Sequence, residues 1–181
     1  MLNRSLLFLL TASLLLAGCA TQRIPFNESE YTVRPDSGDK VVSGKVFLTD
    51  QLDDTQVGGG SEVILEPLTS YSNQWFEVSY LNNRSLAAPD RRYFQYILKT
   101  KADKEGNFTF EKVAPGEYLL SSLVKWKAAT CSGNVVSKKI PIAQKISVAA
   151  DATRVDGTLT KPFISPSQIC NLYNQADWTK E

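Results

Sequence analysis

From Val41 onward the chain alternates apolar and polar positions: Val42, Gly44, Val46 and Leu48 fall on one side, Ser43, Lys45 and Phe47 on the other. A period of two is that of a strand with one buried face, so the first core strand starts here. The polar loop 49–60 ends in Gly58-Gly59-Gly60 and leads to Ser61-Glu62-Val63-Ile64-Leu65-Glu66-Pro67-Leu68, a second strand ended or edged by its proline. The glycine triplet lacks the Lys-Ser/Thr and helix start of a phosphate loop and reads as a turn. Residues 69–94 break the rhythm. Tyr71, Trp75 and Val78 share a helical face, with Phe76 and Tyr80 beside it, and Ser70 or Ser72 is placed to cap a short helix. A loop from Asn82 to Asp90 then leads to a third strand, Gln95 to Ala102.

The next stretch, Asp103-Lys104-Glu105-Gly106-Asn107-Phe108-Thr109-Phe110, has the chemistry of a tight turn. Asp103 is placed to bond its own turn backbone, Gly106 supplies a positive φ, and Phe108 and Phe110 send two rings to one face. The expectation is a β-hairpin. Ala114-Pro115-Gly116 makes another turn, Pro115 presetting φ and Gly116 taking the left-handed position. Tyr118, Leu120, Val124 and Trp126 then share a strand face. Lys139 to Ala149 and Arg154 to Leu159 complete the pattern, with Ile140, Ile142, Ile146, Val148, Val155 and Leu159 inward. Short strands at this spacing predict an all-β, antiparallel, immunoglobulin-like sandwich with a short helical insertion.

Four fragments carry a family likeness: Gly44-Lys45-Val46, Val63-x-Leu65, Asp103-x-x-Gly106-x-Phe108-x-Phe110, and Pro115-Gly116-x-Tyr118-x-Leu120. The chain resembles the carboxypeptidase regulatory-like domain, a transthyretin-like β-sandwich, over roughly residues 41–160. The resemblance implies a non-catalytic module that folds, docks or presents a surface. It implies no peptidase activity, since the zinc peptidases that precede such modules bind metal through His and Glu and this chain has no histidine. The aromatic insertion 69–94 is longer than the usual link between these strands.

The N-terminus changes the picture of address. Arg4 precedes an apolar run, Leu6 to Leu16, too short to span a bilayer and of signal-peptide length. The run ends in Leu16-Ala17-Gly18-Cys19, which resembles the bacterial lipobox, so Cys19 is the expected acylated residue after removal of residues 1–18. Acyl chains contribute about 0.8 kcal/mol per buried methylene, and several on one cysteine anchor a protein without a spanning helix. Ala20 and Thr21 lack the aspartate that, by resemblance to proteobacterial lipoproteins, retains such proteins in the inner membrane. The expected location is the outer membrane, with the domain facing the periplasm. Residues 19–40 mix polar, proline and charged residues without a period and read as a flexible tether.

Removing the leader takes Arg4 and no acidic residue, leaving 19 basic and 19 acidic side chains. That balance has no electrostatic footprint for nucleic acid. Besides Cys19 there are Cys131 and Cys170. In an oxidising compartment two remaining cysteines pair, and with no C-x-x-C and no histidine a structural bridge is favoured over a redox or metal pair. It would staple the tail, residues 161–181, to the body, stabilising the fold by about 4 kcal/mol in the chain-entropy model.

Candidate chemistry is sparse. Without histidine, Ser-His and Cys-His catalysis are excluded. Glu62, Glu66, Glu77, Asp53, Asp54 and Asp90 lie in or near loops, but nothing in their spacing sets two across a cleft. Asp103 and Glu105 before Gly106 are half of a calcium-loop pattern without the rest, so no metal and no cofactor are expected. Tyr71, Trp75, Phe76, Tyr80, Arg91, Arg92 and Tyr93 are the residue types enriched at binding hot spots, and they form the candidate binding surface. The competing reading has the insertion cover one end of the sandwich with Trp75 and Phe76 buried. The functional expectation is a lipid-anchored module that binds an unidentified envelope protein or assembles with it, the alternative being a carbohydrate or peptidoglycan-fragment binder using the same rings.

Overall fold

A computed structural model describes residues 20–50, 55–129, 131–132 and 134–163. Two sheets face each other. In the first, β1 (Lys40–Asp50) is the central strand. Along one edge it pairs antiparallel with β2 (Thr55–Val57) and β5 (Asn107–Val113), and along the other parallel with β8 (Arg154–Asp156) and β9 (Leu159–Phe163). The second sheet has the order β4-β3-β6-β7, all antiparallel: β4 is Leu98–Lys101, β3 Glu62–Pro67, β6 Gly116–Ala129 and β7 Val135–Val148. The chain is an all-β sandwich, in which the short β8 and β9 add parallel pairing to an antiparallel frame.

The alternation read from the sequence places the core. Val42, Val46 and Leu48 of β1, Val63 and Leu65 of β3, Phe108 and Phe110 of β5, and Tyr118, Leu120, Val124 and Trp126 of β6 are all buried between the sheets. Ile142, Val148 and Leu159 join them, with Ile140, Ile146 and Val155 partly buried against the cluster. Phe108 and Phe110 meet edge to face at 5.9 Å, a favoured arrangement of ring quadrupoles.

The turn at 103–106 has the expected chemistry but a different job. Asp103 accepts from the Asn107 N–H (2.7 Å) and side-chain amide (3.0 Å), and Gly106 has φ of 84°. The strands it joins do not pair: β4 belongs to one sheet and β5 to the other. It is an arch across the sandwich, and the expected hairpin is corrected. Turn chemistry is the same in both cases because it satisfies only the local backbone. At the second turn Gly116 has φ of 157°, a positive value that L side chains rarely adopt, so the turn does call for glycine as expected, though at the opening of β6 and away from the left-handed helical value.

Smaller corrections concern boundaries. The polar loop after β1 contains β2, and the strand expected from Gln95 starts at Leu98, because Arg91–Gln95 form a 3-10 turn. The leader, Cys19, Asp53, Asp54 and the tail from residue 164 with Cys170 lie outside the described residues. Cys131 sits at the β6–β7 turn.

Residues 20–40, expected to be a flexible tether, are laid along the insertion. Thr21 forms a parallel bridge with Leu86, its N–H donating to the Ser85 carbonyl (2.8 Å) and its own carbonyl accepting from Ala87 (2.9 Å). Ile24 N–H donates to the Gln74 side chain, and the Gln74 amide donates to the Gln22 carbonyl. Farther on, the Glu30 carboxylate accepts from both Ser70 N–H (2.7 Å) and Ser70 Oγ (2.6 Å), which holds its pKa below the ordinary carboxylate value. At the end of the run Ala114 N–H donates to the Pro35 carbonyl. Phe26 packs on Tyr31 (5.1 Å) and Tyr71 (5.3 Å), and buried Tyr31 shares a hydrogen bond with Thr69. Two rings in a short polar segment give it apolar surface to bury, which a solvated tether does not have.

Candidate functional site: a cavity under the aromatic insertion

The insertion starts as a short helix, α1 (Ser70–Trp75), and continues as one π-type turn, Phe76–Leu81. Thr69, not Ser70, is its cap. Thr69 Oγ1 accepts from Ser72 N–H while Ser72 Oγ accepts from Thr69 N–H, the reciprocal pair of a capping box; the cap expected at Ser70 or Ser72 is thus corrected, with Ser72 as the second member. Ser72 Oγ also donates to the Pro67 carbonyl, tying the helix to the end of β3.

The helix lies on the outer face of the second sheet. Side chains alternate across a strand, so Glu66 and Leu119, neighbours of core residues Leu65 and Leu120, point away from the core. Both are nonetheless buried, as is Ser121, whereas Leu123, next along the same face of β6, is 46% exposed. The insertion therefore covers the sheet up to Ser121 and leaves it open beyond.

Between cover and sheet is a cavity of about 270 Å³, lined by Arg23, Ile64, Glu66, Ser72, Trp75, Pro89, Tyr93 and Ser121. Glu66 decides its character. Burial pushes its carboxyl up to about 7, against the opposing pull of the Tyr93 hydrogen bond and the Arg23 charge. One oxygen accepts from the Tyr93 hydroxyl (2.5 Å), and the carboxyl has no other hydrogen-bond partner among the described residues. The Tyr93 phenol is itself raised well above its ordinary value, by burial first and then by the nearby carboxylate. Arg23 is held with Nε donating to the Ala87 carbonyl (2.7 Å) and its guanidinium 4.8 Å over the Tyr71 ring. The arrangement offers a carboxyl, a guanidinium, a hydroxyl and an indole to one small volume. Among the described residues Glu66 is the one carboxylate that lines it.

The seven residues expected to form a binding surface separate into three groups. Tyr71 and Tyr93 point inward: Tyr71 is buried, its hydroxyl accepts from Asp90 N–H (2.7 Å), and its ring meets Tyr93 at 5.6 Å. Trp75 lines the cavity and stacks at 18° on Tyr80, which also packs on Phe76 at 5.2 Å. Phe76 and Tyr80 are half-buried, and each carries a lysine over its face, Lys145 at 4.9 Å and Lys161 at 4.7 Å. Arg91 is exposed. Arg92 is committed to Asp90, whose carboxyl it holds down at about 2, and its guanidinium lies 5.2 Å over Phe26.

Sequence reasoning missed Arg23, Ser121 and the role of Glu66. A signal for the covered face was present: Ile64 and Leu119 are apolar at outward strand positions, which a solvated sheet face does not require.

No family model matches the chain, and no curated protein does. Among solved structures the chain is similar to a "putative carbohydrate binding protein" from Pseudomonas aeruginosa, with a TM-score of 0.66 and 24% identity over 77% of this chain and 99% of that one. The likeness is one of fold. A weaker similarity, to the major pilin subunit of Bacillus cereus, has a TM-score of 0.40 and 12% identity over 68% of this chain and 30% of that one, and carries no argument.

Proposed function

We propose that the chain is a non-catalytic binding module of the bacterial envelope, of carboxypeptidase regulatory-like type, that takes a saccharide unit in the cavity beneath the insertion. The observation that carries this is the joint lining of that cavity by the Trp75 ring and the buried, under-bonded Glu66 carboxyl. A sugar ring offers an apolar face to an indole and hydroxyls to a carboxyl, a guanidinium and a serine. With Tyr93 as its one protein donor among the described residues, the Glu66 carboxyl keeps lone pairs free to accept from a ligand hydroxyl. The name borne by the Pseudomonas aeruginosa structure agrees with a saccharide ligand and adds little weight at that identity. Acylation of Cys19, outer-membrane location and the Cys131–Cys170 bridge belong to the same proposal.

The test is calorimetric titration with a panel of muropeptides and neutral oligosaccharides, on the native protein and on Trp75→Ala and Glu66→Gln. Binding that falls at least about tenfold in both variants supports the reading. Absence of binding across the panel, or binding that both variants retain, overturns it.

A second reading, a protein partner, is favoured by one observation. Leu81 and Phe94 in the insertion are 55% and 52% exposed, Leu81 following the half-buried Tyr80 and Phe94 meeting the Tyr93 ring edge to face at 5.4 Å. Crosslinking in intact cells, with Phe94→Ser and Tyr80→Ser as controls, separates it: a partner lost in these variants supports it, and an unchanged capture profile removes this surface.

A further inference from the structure

The cysteine expected to carry the lipid is two residues from a pinned backbone position. Thr21 is held on both sides, through its N–H to Ser85 and its carbonyl to Ala87, and the chain then stays bonded to the insertion through Arg23, Ile24 and Gln74. Consecutive Cα atoms are about 3.8 Å apart, so two covalent steps before Thr21 span at most about 8 Å, and a lipid carried at position 19 would be attached no farther away than that. The headgroup layer of one leaflet is itself about 5–8 Å deep. A diacylglyceryl thioether at residue 19 would set its sulfur where a phospholipid carries its phosphate ester, within that layer, and so would put Thr21 and its neighbour Ser85 at headgroup depth or just above it.

We propose that the domain rests directly on the bilayer, with loop 82–85 and Ile24 against the lipid headgroups, instead of hanging from a tether. Side chains around the attachment point suit that position. Ile24 is 36% exposed and Leu81, at the start of the loop, 55%, giving two apolar residues to the interface. Arg84, in the same loop, is exposed and offers a guanidinium to lipid phosphates. Asn83, in the left-handed region with φ of 50°, turns the chain back toward Leu86 and the Thr21 bridge. The inference rests on acylation of Cys19 and is independent of the saccharide reading.

The experiment uses the full chain purified from bacterial envelopes with its native modification, checked by mass spectrometry of the N-terminal peptide. It is reconstituted in phosphatidylethanolamine/phosphatidylglycerol vesicles doped with a headgroup nitroxide lipid. One fluorophore is placed through Arg84→Cys, and in a separate sample through Asp151→Cys. Asp151 is exposed in the turn after β7, beside the end of the sheet where Pro35 meets Ala114. The expected result is quenching several-fold stronger at position 84 than at 151. Equal quenching, or stronger quenching at 151, overturns the proposal. An unmodified Cys19 overturns its premise while leaving the calorimetric test of saccharide binding untouched.

Discussion

Tyr93 reaches from the 3-10 turn of the insertion to Glu66 on the outer face of β3, its hydroxyl donating to Glu66 Oε2 at 2.5 Å. This bond joins cover to sheet at the wall of the cavity. The carboxyl it reaches is buried, and burial disfavours its charge more than the bond favours it.

The stability of the protein should record that group. The folded carboxyl is raised from 4.5 to about 7, so between these values the unfolded chain gives up the proton that the folded chain keeps. Stability from this group therefore falls as pH rises through that window, by about 3 kcal/mol in all, and is flat above it. Urea denaturation of the native protein and Glu66→Gln across pH 4.5–8 checks this: the difference between them should grow in favour of the glutamine as pH rises. A difference that does not change with pH would remove the burial account.

Tyr93→Phe removes the donor and keeps the ring. The carboxyl should then titrate still higher, and the fold should lose about 1–3 kcal/mol at pH 8, where leaving the charge unpaired is most costly. At pH 4.5 the loss should be smaller, because a protonated carboxyl needs the donor less. Equal losses at the two pH values would mean that packing of the phenol, not its hydrogen bond, is what matters.

The docked N-terminal segment is expected to protect its amides from exchange. Phe26→Ala, which strips the ring set between Tyr31, Tyr71 and Tyr96, should cost about 1–3 kcal/mol for a half-buried phenylalanine and raise hydrogen exchange at Thr21 and Ile24. Exchange mass spectrometry reads this directly. Fast exchange of those amides in the unmutated protein would restore the tether.

Gly106 combines φ of 84° with a tight neighbourhood, since an added Cβ would sit 2.6 Å from the Val46 carbonyl oxygen. Gly106→Ala should lower stability by more than about 1 kcal/mol, seen as a drop in Tm of several degrees. An unchanged Tm would show that the arch can shift without cost.

The Cys131–Cys170 bridge is checked by non-reducing peptide mapping of envelope material. Replacing both cysteines with serine should cost about 4 kcal/mol if the bridge acts by loop closure. Free thiols at both positions would leave the tail without its staple.

Much of the fold was legible because one-face burial writes a period of two into a strand. Val42, Val46 and Leu48, then Phe108 and Phe110, then Tyr118, Leu120, Val124 and Trp126, are where that period puts them. Which strands pair was not legible at 103–106, where Asp103 and Gly106 serve an arch as well as they would a hairpin. The site was harder to read for another reason. Glu66 follows core residue Leu65 in a strand whose outer face looks polar at its ends, and only the tertiary cover by the insertion makes it a buried carboxyl. Of the aromatic residues, the hot-spot composition of 71–93 was visible, but a helical period alone could not tell that Tyr71 and Tyr93 turn inward while Trp75 lines a cavity. Phe26 and Tyr31 were the overlooked clue that residues 20–40 had a surface to bury.

Arg23 belongs to two structures at once. It lies four residues after the cysteine expected to hold the lipid, and its guanidinium helps line the cavity under the insertion. Were residue 19 the point of attachment proposed above, a pull on the domain would run through Thr21 and Arg23 before it reached the sheets. The wall of the pocket would then take load ahead of the sandwich core, and a ligand held by Arg23 would be coupled to tension on the N-terminal segment.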